Sequence, residues 1–335
     1  MMSSLSFPWL WRLRKALVWL WLPAAGATVA ADAQEPYQML QRIQLAAQRV
    51  SYQGTVVHAA AGQVSSLRVV QVCEGNQRYE QTEALDGRPR QQYRHNERVH
   101  TLWPQARVAV VERDDAAPQF PALPSSGDQL RRNYEVQRLA AQRVAGHLAD
   151  GLRMVPRDSL RFAQRLWVDR NSGLLLRSEV LDTQGKVLES SAFSDLNIGA
   201  GTTPQAILAA MRRLDGYRVV QPAVERTQLD AEGWLMASDV AGFRQVGCSR
   251  RPLDPTGPAG SRSPTVVQSV FSDGLTQVSL FIEPLDPARH KQPMRTVLGA
   301  THALMQRHGT SWITVMGDVP MATLEQFASA LQSRR

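Results

Sequence analysis

The sequence predicts an α+β protein in two parts. A half-open antiparallel β-barrel wraps around helical structure and is followed by a smaller α+β domain. Three observations predict this. An amphipathic stretch at 36–50 precedes a long succession of short alternating segments. Turn residues separate those segments at close intervals. Beyond residue 222, strand and helix patterns mix.

The elements follow in order. Residues 36–50 (PYQMLQRIQLAAQRV) place Met39, Leu40, Ile43, Ala46, Ala47 and Val50 on one helical face. From Ser51 the period changes to two. Segments 52–58, 67–73, 98–103 and 107–112 are rich in Val and aromatics and are bounded by Gly, Asn, Asp or Pro. Residues 114–133 hold three prolines and little periodicity, which reads as a long loop of the functional or disordered kind. Strands resume at 136–144. The stretch 160–198 is a meander whose turns, Asn171-Ser172-Gly173 and Thr183-Gln184-Gly185, use Gly for positive φ. A helix followed by so many antiparallel strands should end up inside a curved sheet, leaving an apolar interior.

Residues 199–222 open with Gly, Thr and Pro and read as a connection. After it, 234–243 leads to a strand at 246–251 and then to a Pro/Gly/Ser-rich loop at 252–264. A hairpin follows, 266–271 and 277–283 around Ser272-Asp273-Gly274. The spacing of Val297, Leu298, Leu304 and Met305 predicts a helix over 295–308. A strand at 312–316 and a helix at 323–331 complete the chain. Thr323 would be the N-cap of that last helix, with Glu325 in its first turn. The chain divides into 1–33, 34–199, a linker at 200–222, and 223–335.

The first 33 residues read as a signal peptide. Arg12, Arg14 and Lys15 precede an apolar run at 16–22, and Ala31-Asp32-Ala33 fits the small-x-small cleavage pattern. A membrane anchor needs about 17–25 apolar residues, and Pro23, Gly26 and Thr28 interrupt the run too early. Export to the periplasm follows, and no Cys near the cleavage point suggests a lipoprotein.

The full chain has 38 Lys+Arg against 30 Asp+Glu. Loss of the signal leaves a formal charge of about +6. Only Lys15, Lys186 and Lys291 are lysines. Base composition of the genome would explain that bias. So would the bidentate contacts of Arg with phosphate or carboxylate. With export and no nucleic-acid-binding motif, the relevant anions are phosphorylated glycolipid, anionic phospholipid or acidic peptide. The two cysteines, Cys73 and Cys248, lie far apart and offer no disulfide framework, so they read as unpaired buried thiols.

Catalytic patterns are absent. The sequence holds no Gly-x-Ser-x-Gly, no phosphate-binding Gly-rich loop and no His-Glu-x-x-His. On the predicted helix His302 and His308 would point about 120° apart, which makes them poor co-ligands. The two cysteines lack partners for zinc, and Asp114-Asp115 falls in the Pro-rich loop, where solvated charge is expected. The reading is a non-enzyme without metal or cofactor. Apolar side chains are the better lead. Leu102, Trp103, Phe120, Leu123, Phe162 and Trp167 are either a filled core or the lining of a lipid cavity. Phe120 and Leu123 belong at its mouth, and Arg131 and Arg132 would meet acidic headgroups or remain a solvated pair.

Several segments together resemble one family. Cys248-Ser249-Arg250-Arg251-Pro252-Leu253, then Phe271-Ser272-Asp273-Gly274-Leu275, with Gly242-Phe243 upstream, resemble the C-terminal domain of the MucB/RseB family. Ser51-Tyr52-Gln53-Gly54-Thr55, Leu166-Trp167-Val168-Asp169, Ser172-Gly173-Leu174 and the Gly185 turn resemble its N-terminal domain. These proteins are periplasmic negative regulators of the sigma-E envelope-stress response. The resemblance implies a first domain with the LolA/LolB fold and a lipid-binding interior. It implies a second domain that helps bind the periplasmic segment of a transmembrane anti-sigma factor of the MucA/RseA type. Bound regulator would shield that factor from site-1 proteolysis, and lipopolysaccharide-like lipid would release it. Arg250 and Arg251, with Phe271 and Asp273 nearby, are the candidate partner contacts. The alternatives for these four are a conventional turn and a solvated Arg pair. The chain departs from many relatives in its two cysteines and its extended 252–264 loop. A periplasmic lipid or lipoprotein carrier is the second reading, and self-association is open.

Overall fold

The computed structural model describes residues 27–113, 120, 127–199, 201–257 and 263–334, with backbone only over 27–35. Residues 1–26 of the expected signal peptide, Leu123 and Asp114-Asp115 lie outside the described residues.

Helix α1 (Ala27–Arg49) begins well before the predicted 36, because 27–35 is rich in Ala, the strongest helix former. Six strands follow: β1 (Tyr52–Ala60), β2 (Gln63–Glu74), β3 (Gln77–Ala84), β4 (Gln91–His95), β5 (Arg98–Trp103) and β6 (Val108–Arg113). The end of the predicted long loop is instead a short helix, α2 (Gly127–Asn133). It leads to β7 (Tyr134–Val144), β8 (His147–Pro156), β9 (Ala163–Asp169), β10 (Leu175–Leu181) and β11 (Val187–Ile198).

The strands form one open sheet. From one edge, consecutive hairpins run from β6 back to β1; β1 then pairs antiparallel with β11, and hairpins continue to β7 at the other edge. The sheet is curved: β7 returns near β11, and His147 Nε2 lies 3.2 Å from the Leu196 carbonyl oxygen. It does not close into a barrel.

The predicted linker is largely part of this domain. α3 (Pro204–Arg212) starts at an N-cap, Thr203, whose Oγ1 accepts from the Ala206 N–H, with Pro at the first position. Its Ile207 and Met211 pack on Val72, Tyr79, Tyr93 and Leu102. β12 (Arg218–Val220) then adds to β6 as the sheet's parallel edge strand.

The second domain is a seven-stranded sheet of β13 (Glu225–Arg226), β15 (Arg244–Pro252), β16 (Thr265–Ser272), β17 (Gln277–Pro284), β20 (Ser311–Gly317), β19 (Thr301–His308) and β18 (Met294–Leu298), in that spatial order. β14 (Trp234–Met236), shorter than the predicted 234–243, pairs with β21 (Leu331–Ser333). Helix α4 (Met321–Ala330) covers one face of the sheet, where Leu324 and Phe327 join Phe271, Leu280, Ile313 and Val315 in the core.

Two expectations fail here. The stretch 295–308 is the β18–β19 hairpin, not a helix. Its apolar spacing suits either period, but Gly299 at φ +62° makes a turn between β-branched and aliphatic strands. His302 and His308 therefore lie on a strand. Thr323 is not the N-cap of α4; its Oγ1 donates instead to the Leu160 carbonyl of the first domain, 2.7 Å away.

Candidate functional site

The interior of the curved sheet is built by alternation. Leu152 and Met154 of β8, Leu166 and Val168 of β9 and Leu175 of β10 point at α1 and α2. From the helices, Met39, Leu40, Ile43 and Leu130 meet them. A second cluster holds Tyr52, Val56, Trp167, Leu176 and Phe193. Phe120 packs against both clusters, its ring 5.6 Å from that of Phe193. Each such side chain, fully buried, contributes about 1.5–3 kcal/mol.

The residues expected to line a lipid cavity do not converge. Of those described, only Phe120 and Trp167 reach this interior. Leu102 is buried under α3 in a separate cluster, with Trp103 half-buried next to it. Phe162 lies at the contact with the second domain, edge-on to His302 at 5.6 Å. Arg131 and Arg132 are exposed on α2, and the Arg131 guanidinium stacks 4.6 Å over the Tyr37 ring. The physical reason is the strand order: β5, which carries Leu102 and Trp103, and β9, which Phe162 precedes, lie toward opposite edges of the sheet.

The interior connects to a polar joint between the domains. Tyr134, at the start of β7, packs in the interior cluster, and so does Leu275 from the second domain. The Tyr134 hydroxyl donates to Asp273 Oδ2 at 2.7 Å. Arg161 Nε lies 2.8 Å from the same oxygen, an ion-pair contact off the N–H axis, and both side chains are essentially inaccessible. The other guanidinium nitrogens donate to Asp158 and to the Ala241 carbonyl. Asn133 Nδ2 donates to the Asp273 carbonyl, and Gln129 Nε2 to that of Ser272. Burial, reinforced by the adjacent Asp273 carboxylate, holds the Tyr134 phenol well above its ordinary pKa, so it remains a donor. Asp273 Oδ1 meanwhile caps its own turn through the Leu275 and Thr276 N–H groups.

Asp273 is therefore not open to a partner, and neither is Phe271, which is in the core 5.0 Å from Phe327. That corrects both as partner contacts: the Ser-Asp-Gly turn is consumed in joining the domains. Arg250 and Arg251 remain reachable on β15. Arg250 makes two bonds to Glu232, and Arg251 approaches Glu112 of the first domain at 3.5 Å. Burial raises the Glu232 carboxyl, but bonds from Arg250 and Thr227 outweigh it and leave it below the usual range.

An open cleft of about 520 Å³ beside β14 and β15 is lined by Leu229, Trp234, Met236 and Cys248. Burial pushes the thiols of Cys248 and Cys73 up, so neither is a ready thiolate. Both are free and half-buried rather than fully buried. Among the described residues, no group of His, Cys, Asp and Glu has a metal-binding arrangement, and no helix is long and apolar enough to cross a membrane.

The joint was missed from sequence. Arg161, Tyr134, Asn133 and Gln129 give no local signal, and only the acidic turn residue Asp273 hinted that a cation must be found.

Residues 35–214 match the family description "MucB/RseB N-terminal domain", and residues 228–332 match "MucB/RseB C-terminal domain". The sigma factor AlgU regulatory protein MucB of Pseudomonas aeruginosa is 30% identical over 319 residues, covering 93% of this chain and 94% of that one. The sigma-E factor regulatory protein RseB of Escherichia coli K12 is 25% identical over 309 residues, 92% of each. The crystal structure of MucB in complex with MucA(peri) superposes with a TM-score of 0.67 at 26% identity, covering 89% of this chain and 98% of that one.

Proposed function

Since the chain belongs to the MucB/RseB family, we propose that it is a periplasmic negative regulator of an envelope-stress sigma factor and acts by binding, without catalysis. Its partner is the periplasmic segment of a transmembrane anti-sigma factor. Bound, it shields that segment from site-1 proteolysis, and a lipid or lipopolysaccharide in the first domain releases it. A relative solved with MucA(peri) supports the choice of partner.

One observation carries the coupling. Leu275 of the second domain and Tyr134 of the joint both pack in the same apolar cluster as α1, α2 and Phe120. A lipid chain entering that cluster must displace side chains that hold the second domain. Lipid and partner would then favour different domain arrangements, which is a negative coupling free energy between two sites. Arg250 and Arg251 remain the charged contacts available to an acidic partner segment.

The test is protease protection of the anti-sigma segment, with and without this protein and with added lipopolysaccharide. Protection lost on adding lipopolysaccharide is the expected result. A lipid carrier would give no protection under either condition, and that outcome would overturn the regulator reading.

A further inference from the structure

The domains touch a second time, through different chemistry. The β18–β19 hairpin turns at Gly299, and its tip lies against the ends of β1 and β11. A Cβ at 299 would fall 2.9 Å from Ala60 Cβ and 3.1 Å from the Leu188 carbonyl oxygen, so both φ and the close approach require glycine. Beside it, the Ala300 N–H donates a hydrogen bond to Glu189, whose side chain is only 19% exposed.

Among the described residues, no Arg or Lys forms an ion pair with Glu189; the imidazole of His58 is the basic group that approaches it. Asp318, just after β20, faces it and accepts a 2.6 Å bond from Thr301 Oγ1. His58 of β1 places Nδ1 3.8 Å from Glu189 Oε1, but that nitrogen lies closer, at 3.0 Å, to Ser191 Oγ. His302 of β19 is near Asp318 and edge-on to Phe162. Two carboxylates thus share a poorly solvated seam between the domains.

We propose that Glu189 is a proton-operated clasp between the domains: protonated, it lets the 298–301 tip close on the first domain, and ionised, it loosens that contact. This goes beyond the regulator reading and does not depend on it. Burial first, then the Asp318 charge, raises the Glu189 carboxyl to about 7, with the Ala300 N–H pulling the other way. A raised pKa means the closed contact holds the proton more tightly than the open one. Closure is therefore favoured most below the ordinary carboxyl range and loses that support as pH rises through about 7. Burial lowers the His302 pKa, partly offset by Asp318.

Amide hydrogen exchange of 298–301 in the whole chain tests the clasp at pH 6 and pH 8, corrected for intrinsic exchange. With carboxyl values near 4.5 open and about 7 closed, protection should fall roughly tenfold from pH 6 to pH 8. Glu189→Gln, which keeps an acceptor for the Ala300 N–H, should be equally protected at both values, and more strongly than the unmodified chain at pH 6, because the open Glu189 is already ionised there. His58→Gln should keep the unmodified dependence. Equal protection of the unmodified chain at both pH values would overturn the clasp. So would a Glu189→Gln variant that still responds, or a His58→Gln variant that does not.

Discussion

Two of the contacts between the domains each shield a carboxylate from solvent, and they differ in what meets it. Asp273 faces a guanidinium, a phenol and an amide, with its second oxygen taken by its own turn. Glu189 meets one backbone N–H, the charge of Asp318 and, at 3.8 Å, the imidazole of His58, whose Nδ1 lies closer to Ser191. A buried charge that is paired and hydrogen-bonded stays charged, whereas one without a cation changes its protonation instead. The first contact should therefore hold at any ordinary pH and the second should not. One interface thus combines a permanent joint with a conditional one.

Breaking the permanent contact should produce the largest effect. Arg161→Met leaves Asp273 buried without its cation, and denaturant unfolding should show a loss of about 3–5 kcal/mol. Adding Asp273→Leu to that variant should restore much of it, because the uncompensated charge is gone. If the double variant is as unstable as the single one, packing rather than charge dominates there.

Tyr134→Phe removes one donor from Asp273 and should cost about 1–3 kcal/mol in the same measurement. Its cost should not change between pH 6 and pH 8, since the phenol titrates far above that range. Against it, Glu189→Gln should be stabilising at both pH values, and by about 1.4 kcal/mol more at pH 8 than at pH 6, the equivalent of a tenfold change. A pH-independent effect would erase the contrast between the two contacts.

Smaller still, Thr323→Val loses the hydroxyl that reaches Leu160 across the domains and should cost about 1 kcal/mol. Arg250→Glu with Arg251→Glu should leave the fold intact by circular dichroism. It should weaken capture of the anti-sigma segment in a pull-down. Undiminished capture would remove these two residues from the partner surface.

Much of the fold was legible because period and turn chemistry are local. Alternation over 52–58, 67–73, 98–103, 107–112 and 160–198 marked strands, though not β3 or β4, and Gly173 and Gly185, both at positive φ, marked the meander's turns. The Asp169 carboxylate, capping Asn171 and Ser172, explains why Leu166–Leu174 reads as a motif at all. Local pattern failed at 295–308, where four apolar positions fit both periods; Gly299, poor in a helix interior, was the available warning. At 200–222, read as a connection, the chain forms a capped helix that covers β3 and β4.

By itself the sequence determined many of the strands, the helices near the two ends and the family resemblance, since each rests on near neighbours along the chain. Only the tertiary structure decided what the single residues do. It turned Asp273 and Phe271 from candidate partner contacts into a joint and a core, paired Asp273 with Arg161, and set Glu189 against Asp318. Burial and charge pairing depend on side chains far apart in sequence, and the energy of a charge is set by what surrounds it after folding.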